Sequence, residues 1–564
     1  MSYQKYLTLT NKIKHLYTSQ NPVTTRVIFF LGILSWLVIL CGYIGLIRQN
    51  HLFLIICGVP IIFISLDIIL GYILNFFAKP FDTKKHDLKT LYFKLCPQKP
   101  SVDLFVPVCG EPLDILERTF ESVSKIYYEN VKIYVLDDTK NIHIEKLAKK
   151  YHLNYLSRPN AGYLKKAGNL NYGINKTNSD YIAIFDADYF VNPSFLVETI
   201  HYMRDNPHYG IVQTPQFFEE TLDPSKSNSL EYSAAAVQED FYRFSQTARD
   251  TINGGMCVGT NALYRRSSLD KNGGVAKVDH SEDIWTGLKL LQNGYKIKYL
   301  PIILAIGNCP TNYVSFFNQQ YRWSKGAFDI MFSKGFWIKK ISSSSRVSFI
   351  STFLYYISKS ISYFFPLITI FLLFTQSVDI EFVGLFIFLP YIFFEYFLLP
   401  RFRVHNMSIM TIFIGFFLSC TYLLSFMHTL FGHTLEWRPS GRNDVTSKNH
   451  WFNFMYNLNL FYFVTVLAFF LYSIVSQKIN MLNIAYFPIF GWVCYTLFLI
   501  FLYLFLVAKI HKVKPIEDFK SLTNNIAKVP DQLLLSLNQN IANRFSFSHR
   551  VGAKVKQTIQ SIFL

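Results

Sequence analysis

The stretch Ile182-Ala183-Ile184-Phe185-Asp186-Ala187-Asp188 decides how the middle of this chain is interpreted. Its apolar residues are typical of a buried strand, and two acids follow where that strand ends. Carboxylates at positions i and i+2 of a strand point to one face. Asp186 and Asp188 can therefore reach one divalent cation and a diphosphate that the cation bridges. Because Asp-x-Asp also occurs in ordinary loops, the neighbouring sequence has to support this interpretation.

Two earlier segments repeat the pattern of a short apolar run followed by polar residues. Asp103–Val108 and Lys132–Leu136 predict strands, as does Tyr181–Phe185, and longer amphipathic stretches separate them. This alternation is typical of an α/β domain with a largely parallel sheet. Ligands of such sheets bind beyond the carboxyl ends of the strands, which is where Asp137 and Asp138 fall. The alternative for these two acids is a simple turn, since turns also favour aspartate.

The composition indicates a membrane protein with a soluble part. The 564 residues include 55 Lys and Arg against 37 Asp and Glu, a formal charge of +18, yet only 16% are charged and 51% are hydrophobic. Disordered, collagen-like and small disulfide-rich proteins are excluded. The eight cysteines form no close C-x-x-C pair, so neither a zinc site nor a disulfide framework is predicted. The basic excess favours cytosolic loops that face anionic lipid over nucleic-acid binding.

Long apolar segments flank the α/β region on both sides. We predict an N-terminal region over 1–80 with two membrane spans, Val27–Ile47 and Leu52–Phe77, the second of which contains Asp67. An acid at that depth should face protein, water or a partner group. The domain follows over 81–335, a membrane channel region over 336–510 and a cytosolic basic tail over 511–564. Apolar runs in the channel region are 346–374, 381–400, 408–432, 451–475 and 483–508.

Charge decides how these segments cross the membrane. Two spans return the chain to its starting side, and the basic residues put the N-terminus and the domain in the cytosol. If 408–432 also crossed, the loop with Arg438, Arg442 and Lys448 would lie outside, against the positive-inside rule. We therefore predict an interfacial or re-entrant helix over 405–432, six true spans and a cytosolic loop over 433–450.

Further motifs lie on both sides of the two acids at 186 and 188. Before them, Arg158-Pro159-Asn160 and the run Lys165 to Asn171 offer cations and amides to a phosphate or ribose, although a solvated helix start is the alternative. After them come V-Q-T-P-Q-F-F (212–218), C-V-G-T-N-A-L-Y-R-R (257–266), S-E-D (281–283) and Q-Q-Y-R-W (319–323). Their joint order is a much stronger signal than any one of them.

In this order the motifs resemble those of processive family 2 glycosyltransferases, close to cellulose synthase catalytic subunits. The resemblance covers about residues 100–330, with a weaker match at Asn443-Asp444-Val445-Thr446-Ser447-Lys448 to the F-x-V-T-x-K gating loop of that family. Asn443 stands where the family has phenylalanine, and the family's T-E-D is S-E-D here. The resemblance implies a GT-A-type cytosolic glycosyltransferase domain, inserted between α-helical transmembrane segments, with interfacial helices.

The resemblance also implies a role for each matched residue. Asp283 would be the general base, Arg322 would neutralise the leaving diphosphate, and Trp323 would stack under the terminal sugar of the growing chain. Asp186 and Asp188 would hold Mg²⁺ or Mn²⁺ with the UDP. The remaining residues implied in donor or acceptor binding are Asp137, Asp138, Lys166, Glu282, Gln319, Thr446 and Lys448.

The chemistry requires such groups independently of the resemblance. A sugar hydroxyl is a poor nucleophile and UDP is a highly charged leaving group, so direct displacement needs a base on the acceptor and cations on the diphosphate. One base is enough for an inverting single displacement, and the second carboxylate of retaining hydrolases is not needed. A polymer made in the cytosol also needs a protein-lined path outward, because hydrocarbon cannot satisfy its hydroxyls.

These inferences predict a plasma (inner) membrane enzyme that polymerises UDP-glucose into a β-glucan and secretes it through its own channel. The alternatives are a synthase of another polysaccharide, of chitin or hyaluronan type, and transfer of single sugars to a lipid carrier. A non-enzymatic transporter or receptor that binds nucleotide sugar is the contrasting class. Expected partners are the UDP-sugar, the growing polysaccharide and membrane lipid, with no nucleic acid. Whether the chain forms a homo-oligomer, and which linkage it makes, stay open. We predict no control by cyclic-di-GMP, because the tail is too short for the barrel that binds it.

Overall fold

A computed structural model describes residues 3–18, 21–49, 51–223, 225, 229–364, 367, 386–404, 408–435, 450–475 and 487–510. Within these ranges an α/β domain lies between two sets of apolar helices, which confirms the predicted fold class. The nine strands are β1 Val102–Val108, β2 Val131–Asp137, β3 Asn154–Ser157, β4 Tyr181–Ile184, β5 Phe190–Val191, β6 Tyr209–Gln213, β7 Ala262–Arg265, β8 Lys296–Tyr299 and β9 Ala305–Ile306.

Fifteen α-helices precede residue 363 in the described ranges. They are α1 Tyr3–Ile13, α2 Pro22–Gln49, α3 His51–Phe76, α4 Thr83–Leu95, α5 Leu113–Ser124, α6 Ile142–Lys150, α7 Lys165–Lys176, α8 Phe195–Asp205, α9 Leu230–Glu239, α10 Gln246–Thr251, α11 Arg266–Asn272, α12 Glu282–Gln292, α13 Tyr313–Phe332, α14 Lys334–Ile338 and α15 Ser343–Ser362. The later ones are α16 Leu389–Phe393, α17 Ile409–Leu430, α18 His450–Val475 and α19 Phe487–Ile510. Short 3₁₀ or π segments are Glu219–Leu222, Asp240–Ser245, Phe386–Phe388, Phe394–Leu398 and Leu399–Phe402.

The main sheet has seven strands in the order β3-β2-β1-β4-β7-β6-β8. Four of its six pairings are parallel, and β7 runs antiparallel to both of its neighbours, β4 and β6. The sheet is therefore mixed rather than purely parallel, with the three predicted strands side by side as β2, β1 and β4. All seven residues of β1 are buried, as expected for a central strand covered on both faces.

Helices cover both faces of this sheet. Apolar residues of α4, α5, α6 and α8 pack on one face, and residues of α7, α11, α12 and α13 pack on the other. Each helix therefore buries one apolar side, while the loops at the strand ends remain available for polar residues. The second sheet pairs β5, which follows the Asp186–Asp188 segment in the chain, with the later strand β9.

Five described helices are long and apolar enough to cross a membrane: segments of α2, α3, α17, α18 and α19. Asp67 lies within α3. Of the other predicted spans, 346–374 begins in α15 and then leaves the described residues, and 381–400 is described from residue 386 as a series of short helical turns. The number of true spans therefore stays a prediction.

The helix α17 differs from the other four apolar helices. In α17, 61% of the residues in the most apolar window are buried inside the protein, against 22–33% in the others. It packs against α9, α13 and α15. The helix α17 is therefore enclosed by other helices, and its length and composition also allow it to span. The interfacial position stays a prediction. The tail and most of the predicted 433–450 loop lie outside the described residues.

Candidate active site

The carboxyl ends of β2 and β4 carry the acids that the sequence singled out, and a further acid, Glu111, follows β1, which lies between them. Because these strands are parallel neighbours, Glu111, the pair Asp137 and Asp138, and the pair Asp186 and Asp188 follow their strands at one edge of the sheet. This is the edge at which open α/β sheets bind ligands.

Asp137 is fully buried and holds the turn after β2 together. Its carboxylate accepts hydrogen bonds from the main-chain N–H and hydroxyl of Thr139, from the N–H of Asn141 and from the hydroxyl of Tyr155, at 2.6–2.9 Å. The turn that was the alternative interpretation therefore does exist. The role of Asp137 in uridine binding stays a prediction.

Asp138 forms a buried ion pair with Arg158. The guanidinium donates from Nε at 2.5 Å and from Nη2 at 2.8 Å, and the N–H of Gly162 donates to the same carboxylate at 3.1 Å. Arg158 also donates to the carbonyls of Tyr163 and Lys165 and is only 1% exposed. Arg158 is thus not the accessible phosphate-binding cation considered from the sequence. It fixes the loop that leads into α7.

Lys166 is the residue at which the separate motifs meet. At the start of α7, its ammonium donates to Asp186 at 2.5 Å and to the carbonyl of Gly259 at 3.0 Å, and it lies 3.9 Å from Glu282. The main-chain N–H of Asp186 in turn donates a hydrogen bond to the hydroxyl of Thr260 at 2.9 Å. Burial opposes the charged form, but Asp186 and Glu282 raise the pKa of Lys166 above its ordinary value, so it is a cation at neutral pH.

Asp283 lies in the first turn of α12, next to this cluster. Burial, and then the charge of Glu282, raises the pKa of Asp283 to about 7, while Lys166 opposes the shift. A Cβ at Gly259 would meet Asp283 Oδ2 at 2.7 Å, so the glycine leaves the space that the carboxylate occupies. A carboxyl group with a pKa near neutrality is well matched to general base catalysis.

The helix α13 carries Q-Q-Y-R-W and is fastened to the start of α12. Ser281, in the left-handed region with φ of 53°, donates its hydroxyl to the carbonyl of Arg322 at 2.8 Å. Burial lowers the pKa of Arg322, and the negative charges of Glu282, Asp186 and Asp283 oppose that effect. The guanidinium therefore lies in the electric field of the same three acids.

Gln319 and Trp323 complete the Q-x-x-R-W motif on α13, and both are partly exposed. Gln319 accepts a long hydrogen bond of 3.5 Å from the side chain of Gln320. The partly exposed indole of Trp323 follows Arg322 in the chain and has a face that can stack on a sugar. Thr446 and Lys448 lie outside the described residues.

Asp188 completes the acidic pair. Burial, and then the charge of Asp186, raises the pKa of Asp188 to about 7. Burial also raises the pKa of Glu111, although the N–H of Cys109 donates to that carboxylate at 2.7 Å. In the ranges that the structure describes, no group of three or more His, Cys, Asp or Glu side chains is arranged to hold a metal ion. The hard oxygen donors of Asp186 and Asp188 fit a divalent cation that completes its coordination with phosphate oxygens or water.

Comparison with known proteins agrees with this arrangement. Residues 103–273 match the family model "Glycosyl transferase family 2". Over these residues the chain is similar to family 2 glycosyltransferases. The matched region begins in β1 and ends after α11, so Asp283 and the Q-x-x-R-W motif lie beyond the matched region.

Curated relatives extend the similarity further along the chain. The cellulose synthase catalytic subunit [UDP-forming] of Pseudomonas fluorescens (strain SBW25) is 32% identical over 304 residues, which is 53% of this chain and 38% of that protein. Cellulose synthase 1 of Komagataeibacter xylinus is 34% identical over 234 residues, 41% of this chain and 15% of that protein. These relatives confirm the resemblance to cellulose synthases. The chain spans well under half the length of either one.

Among solved structures, a mannosyltransferase from Pyrobaculum calidifontis in complex with GDP-Man and Mn²⁺ is similar with a TM-score of 0.46 and 13% identity. The match covers 66% of this chain and all of the other. A glucosyl-3-phosphoglycerate synthase from Mycobacterium tuberculosis, with Mn²⁺ and UDP, is similar with a TM-score of 0.27 over 41% of this chain and 77% of that one, at 13% identity.

Several residues of this candidate site were not identified as site residues from the sequence. Gly259 and Thr260 contact Lys166 and Asp186, and Arg118 on α5 donates to the carbonyl of Asp188 at 2.7 Å. The first two lie in the C-V-G-T-N motif, whose order with S-E-D was noticed without a function for each residue. Arg118 has no local signal, because an arginine on an amphipathic helix is usually a solvated residue.

Proposed function

We propose that this chain is a membrane-embedded, processive β-glycosyltransferase that polymerises UDP-glucose into a β-glucan by inverting transfer. The observation that carries the proposal is the meeting of four motifs around Lys166. Asp186, Gly259 and Glu282 lie within 4 Å of its ammonium, and Asp283 follows directly. The curated relatives, whose names include "UDP-forming", support UDP-sugar as the donor class.

In the proposed reaction, Asp283 accepts the proton of the acceptor hydroxyl as that oxygen attacks the anomeric carbon. Lys166 and Arg322 lie on the acidic cluster beside it and would face the departing diphosphate, which carries the opposite charge. A divalent cation, Mg²⁺ or Mn²⁺, held by Asp186 and Asp188 would neutralise further charge on that leaving group when bound.

The remaining assignments follow the resemblance. Trp323 and Gln319 would bind the end of the growing chain, and Asp137 and Asp138 would shape the part of the site that receives uridine. The resemblance assigns Thr446 and Lys448 to binding of the nucleotide phosphates. We further propose that the domain faces the cytosol and that the polymer leaves through the apolar helices of 336–510, in the plasma membrane.

The test is UDP release by the protein in lipid nanodiscs with Mg²⁺ or Mn²⁺. UDP-glucose, UDP-N-acetylglucosamine and UDP-glucuronate are offered separately, and the product is sized and digested with linkage-specific glucanases. We expect turnover with UDP-glucose and a high-molecular-weight product that a glucanase removes. Turnover only with another donor would move the proposal to a chitin- or hyaluronan-type synthase, and a requirement for added lipid acceptor would indicate single-sugar transfer.

Asp283→Asn separates a transferase from a protein that only binds nucleotide sugar. The substitution keeps the size of the side chain and removes the base, so we expect turnover to fall by two to four orders of magnitude, about 10²–10⁴-fold. UDP binding should stay within a few-fold of wild type. Asp279→Asn changes an exposed acid four positions earlier and serves as the matched control. Equal turnover in both variants would exclude Asp283 as the base.

A further inference from the structure

The N-terminal helix α1 packs on the glycosyltransferase domain next to the acidic pair. The ring of Tyr6 is stacked on Phe190 of β5, with centroids 4.9 Å apart and planes 20° apart. Asn192 donates to the hydroxyl of Thr10 at 3.0 Å and to the side chain of Asn11 at 2.9 Å. Phe190 and Asn192 follow Asp188 by two and four residues, so α1 contacts the segment that carries the proposed metal ligands.

Arg118 connects α1 to Asp188 itself. Its guanidinium donates to the hydroxyl of Tyr6 at 2.9 Å, to the carbonyl of Asp188 at 2.7 Å and to the side chain of Asn308. The guanidinium also lies over the Tyr6 ring, 5.3 Å from its centroid. The fixed fork of an arginine can join three acceptors in this way, which a lysine cannot do with the same geometry.

Tyr6 and Arg118 belong to a closed ring of hydrogen bonds. Tyr6 donates to one oxygen of Glu219 at 2.6 Å, and Asn308 donates to the other at 3.0 Å. The phenol therefore donates to Glu219 while it accepts from Arg118, which uses both capacities of its hydroxyl. Because Tyr6 is only 3% exposed, water cannot easily replace either partner.

The same helix α5 holds the main chain of this segment at two more points. Thr119 donates its hydroxyl to the carbonyl of Ala187 at 2.8 Å, and Ser122 accepts from the N–H of Val191 at 3.1 Å. Of these three contacts from α5, the one made by Arg118 depends on a residue of α1. The direction of the Asp188 carboxylate, set by its main chain, is thereby tied to the docking of the N-terminal helix.

We propose that Tyr6 and Arg118 are positioning residues for the donor site, so that α1 completes the site from outside the family 2 domain. The inference rests on the proposed function, since it assumes that Asp186 and Asp188 bind a cation together with UDP. Loss of the Tyr6 hydroxyl should let Arg118 and the Asp188 main chain move, and should weaken donor binding more than it slows saturated turnover.

The test measures binding of Mn²⁺ in the presence of UDP by electron paramagnetic resonance of the free ion, alongside KM and kcat for UDP-glucose. For Tyr6→Phe we expect about tenfold weaker Mn²⁺–UDP binding and a similarly raised KM, with kcat within about twofold of wild type. The tenfold effect is the size expected when one hydrogen bond to a charged group is lost. Tyr3→Phe is the matched control. Tyr3 lies on the same helix and its ring also contacts Phe190, but it is outside the Arg118 ring of hydrogen bonds.

Arg118→Lys provides a second variant that keeps the positive charge if Tyr6→Phe folds poorly, and it should give the same KM effect. Unchanged Mn²⁺–UDP binding in Tyr6→Phe and Arg118→Lys would overturn the inference. Equal weakening in Tyr3→Phe and Tyr6→Phe, with a matching loss of thermal stability, would also overturn it, because α1 would then act only by docking. A wild-type protein that binds no Mn²⁺–UDP would refute the proposed function first, and the inference with it.

Discussion

Gly259→Ala tests the proposed base, Asp283, without changing that residue itself. Gly259 has φ of +80°, and its carbonyl accepts the hydrogen bond of Lys166. A Cβ at this position would lie 2.7 Å from Oδ2 and 2.8 Å from Cβ of Asp283. Ordinary contacts begin at 3.4 Å, so the carboxylate would have to move by 3.4 − 2.7 = 0.7 Å or more.

This displacement sets the expected size of the effect. Moving a catalytic group by about 1 Å can cost on the order of 10²-fold in rate, which is about 2.7 kcal/mol of transition-state stabilisation. The strained backbone adds a cost in stability of about 1–2 kcal/mol, because an L-residue disfavours the left-handed region. We therefore expect kcat to fall about 10²-fold, with a modest decrease in thermal stability.

Gly294→Ala is the control for the backbone strain. Gly294 has φ of +85°, close to that of Gly259, but a Cβ there would meet no atom within 4 Å. It should lose the same stability and keep its turnover. The assay is UDP release at saturating UDP-glucose in nanodiscs, paired with the apparent melting temperature of each variant. Wild-type kcat in Gly259→Ala, at a stability equal to that of Gly294→Ala, would refute the placement of Asp283 as the base.

Three further outcomes follow from single contacts. Because the raised pKa leaves Asp283 protonated below about pH 7, kcat/KM should fall about tenfold per pH unit on the acidic side of the pH profile. Glu282→Gln removes a charge that raises this pKa and should move the acidic side of the profile to lower pH. A profile that does not move would contradict the influence of Glu282 on Asp283. Arg158→Met leaves the buried carboxylate of Asp138 unpaired and should cost about 3–5 kcal/mol of stability, seen as a lower apparent melting temperature, whereas an exposed salt bridge would cost almost nothing. Tyr422→Phe removes a buried hydrogen bond to the helix that carries Q-x-x-R-W and should cost about 1–3 kcal/mol; an unchanged melting temperature in nanodiscs would show that the two helices are held by other contacts.

The strands before the acids could be predicted to within a residue, and the reason is local. Each is a short run of buried apolar residues that ends in polar ones, so its limits are visible in the sequence. The antiparallel strand β7 was not predicted as such, because Ala262–Arg265 lies inside a motif and its direction depends on long-range pairing with β4 and β6. Alternation of strands and helices indicates the class of fold and does not specify the order of strands.

The site shows the same division between local and long-range information. That Asp186 and Asp283 belong to one site could be inferred from the order of motifs, and the contacts of Lys166 agree with it. The pairing of Asp138 with Arg158 could not be inferred from the sequence, because both residues looked like ligand-binding groups. Only the folded chain brings their charges together at 2.5 Å. Local composition identifies a charged residue and does not tell whether its partner is a ligand or another side chain.

The junction of α13 with α17 joins the α/β domain to the apolar helices. Gln320 accepts a hydrogen bond from Tyr422 at 2.8 Å, and Tyr321 shares one with His428 at 2.8 Å, all four side chains being buried. Both α13 residues immediately precede Arg322, so α17 cannot slide along α13 without breaking two buried polar contacts. The polar groups of α17 face protein, as a helix in or at a membrane requires of them. The α/β domain and α17 are therefore held to one another by buried polar contacts at the position of the Q-x-x-R-W motif.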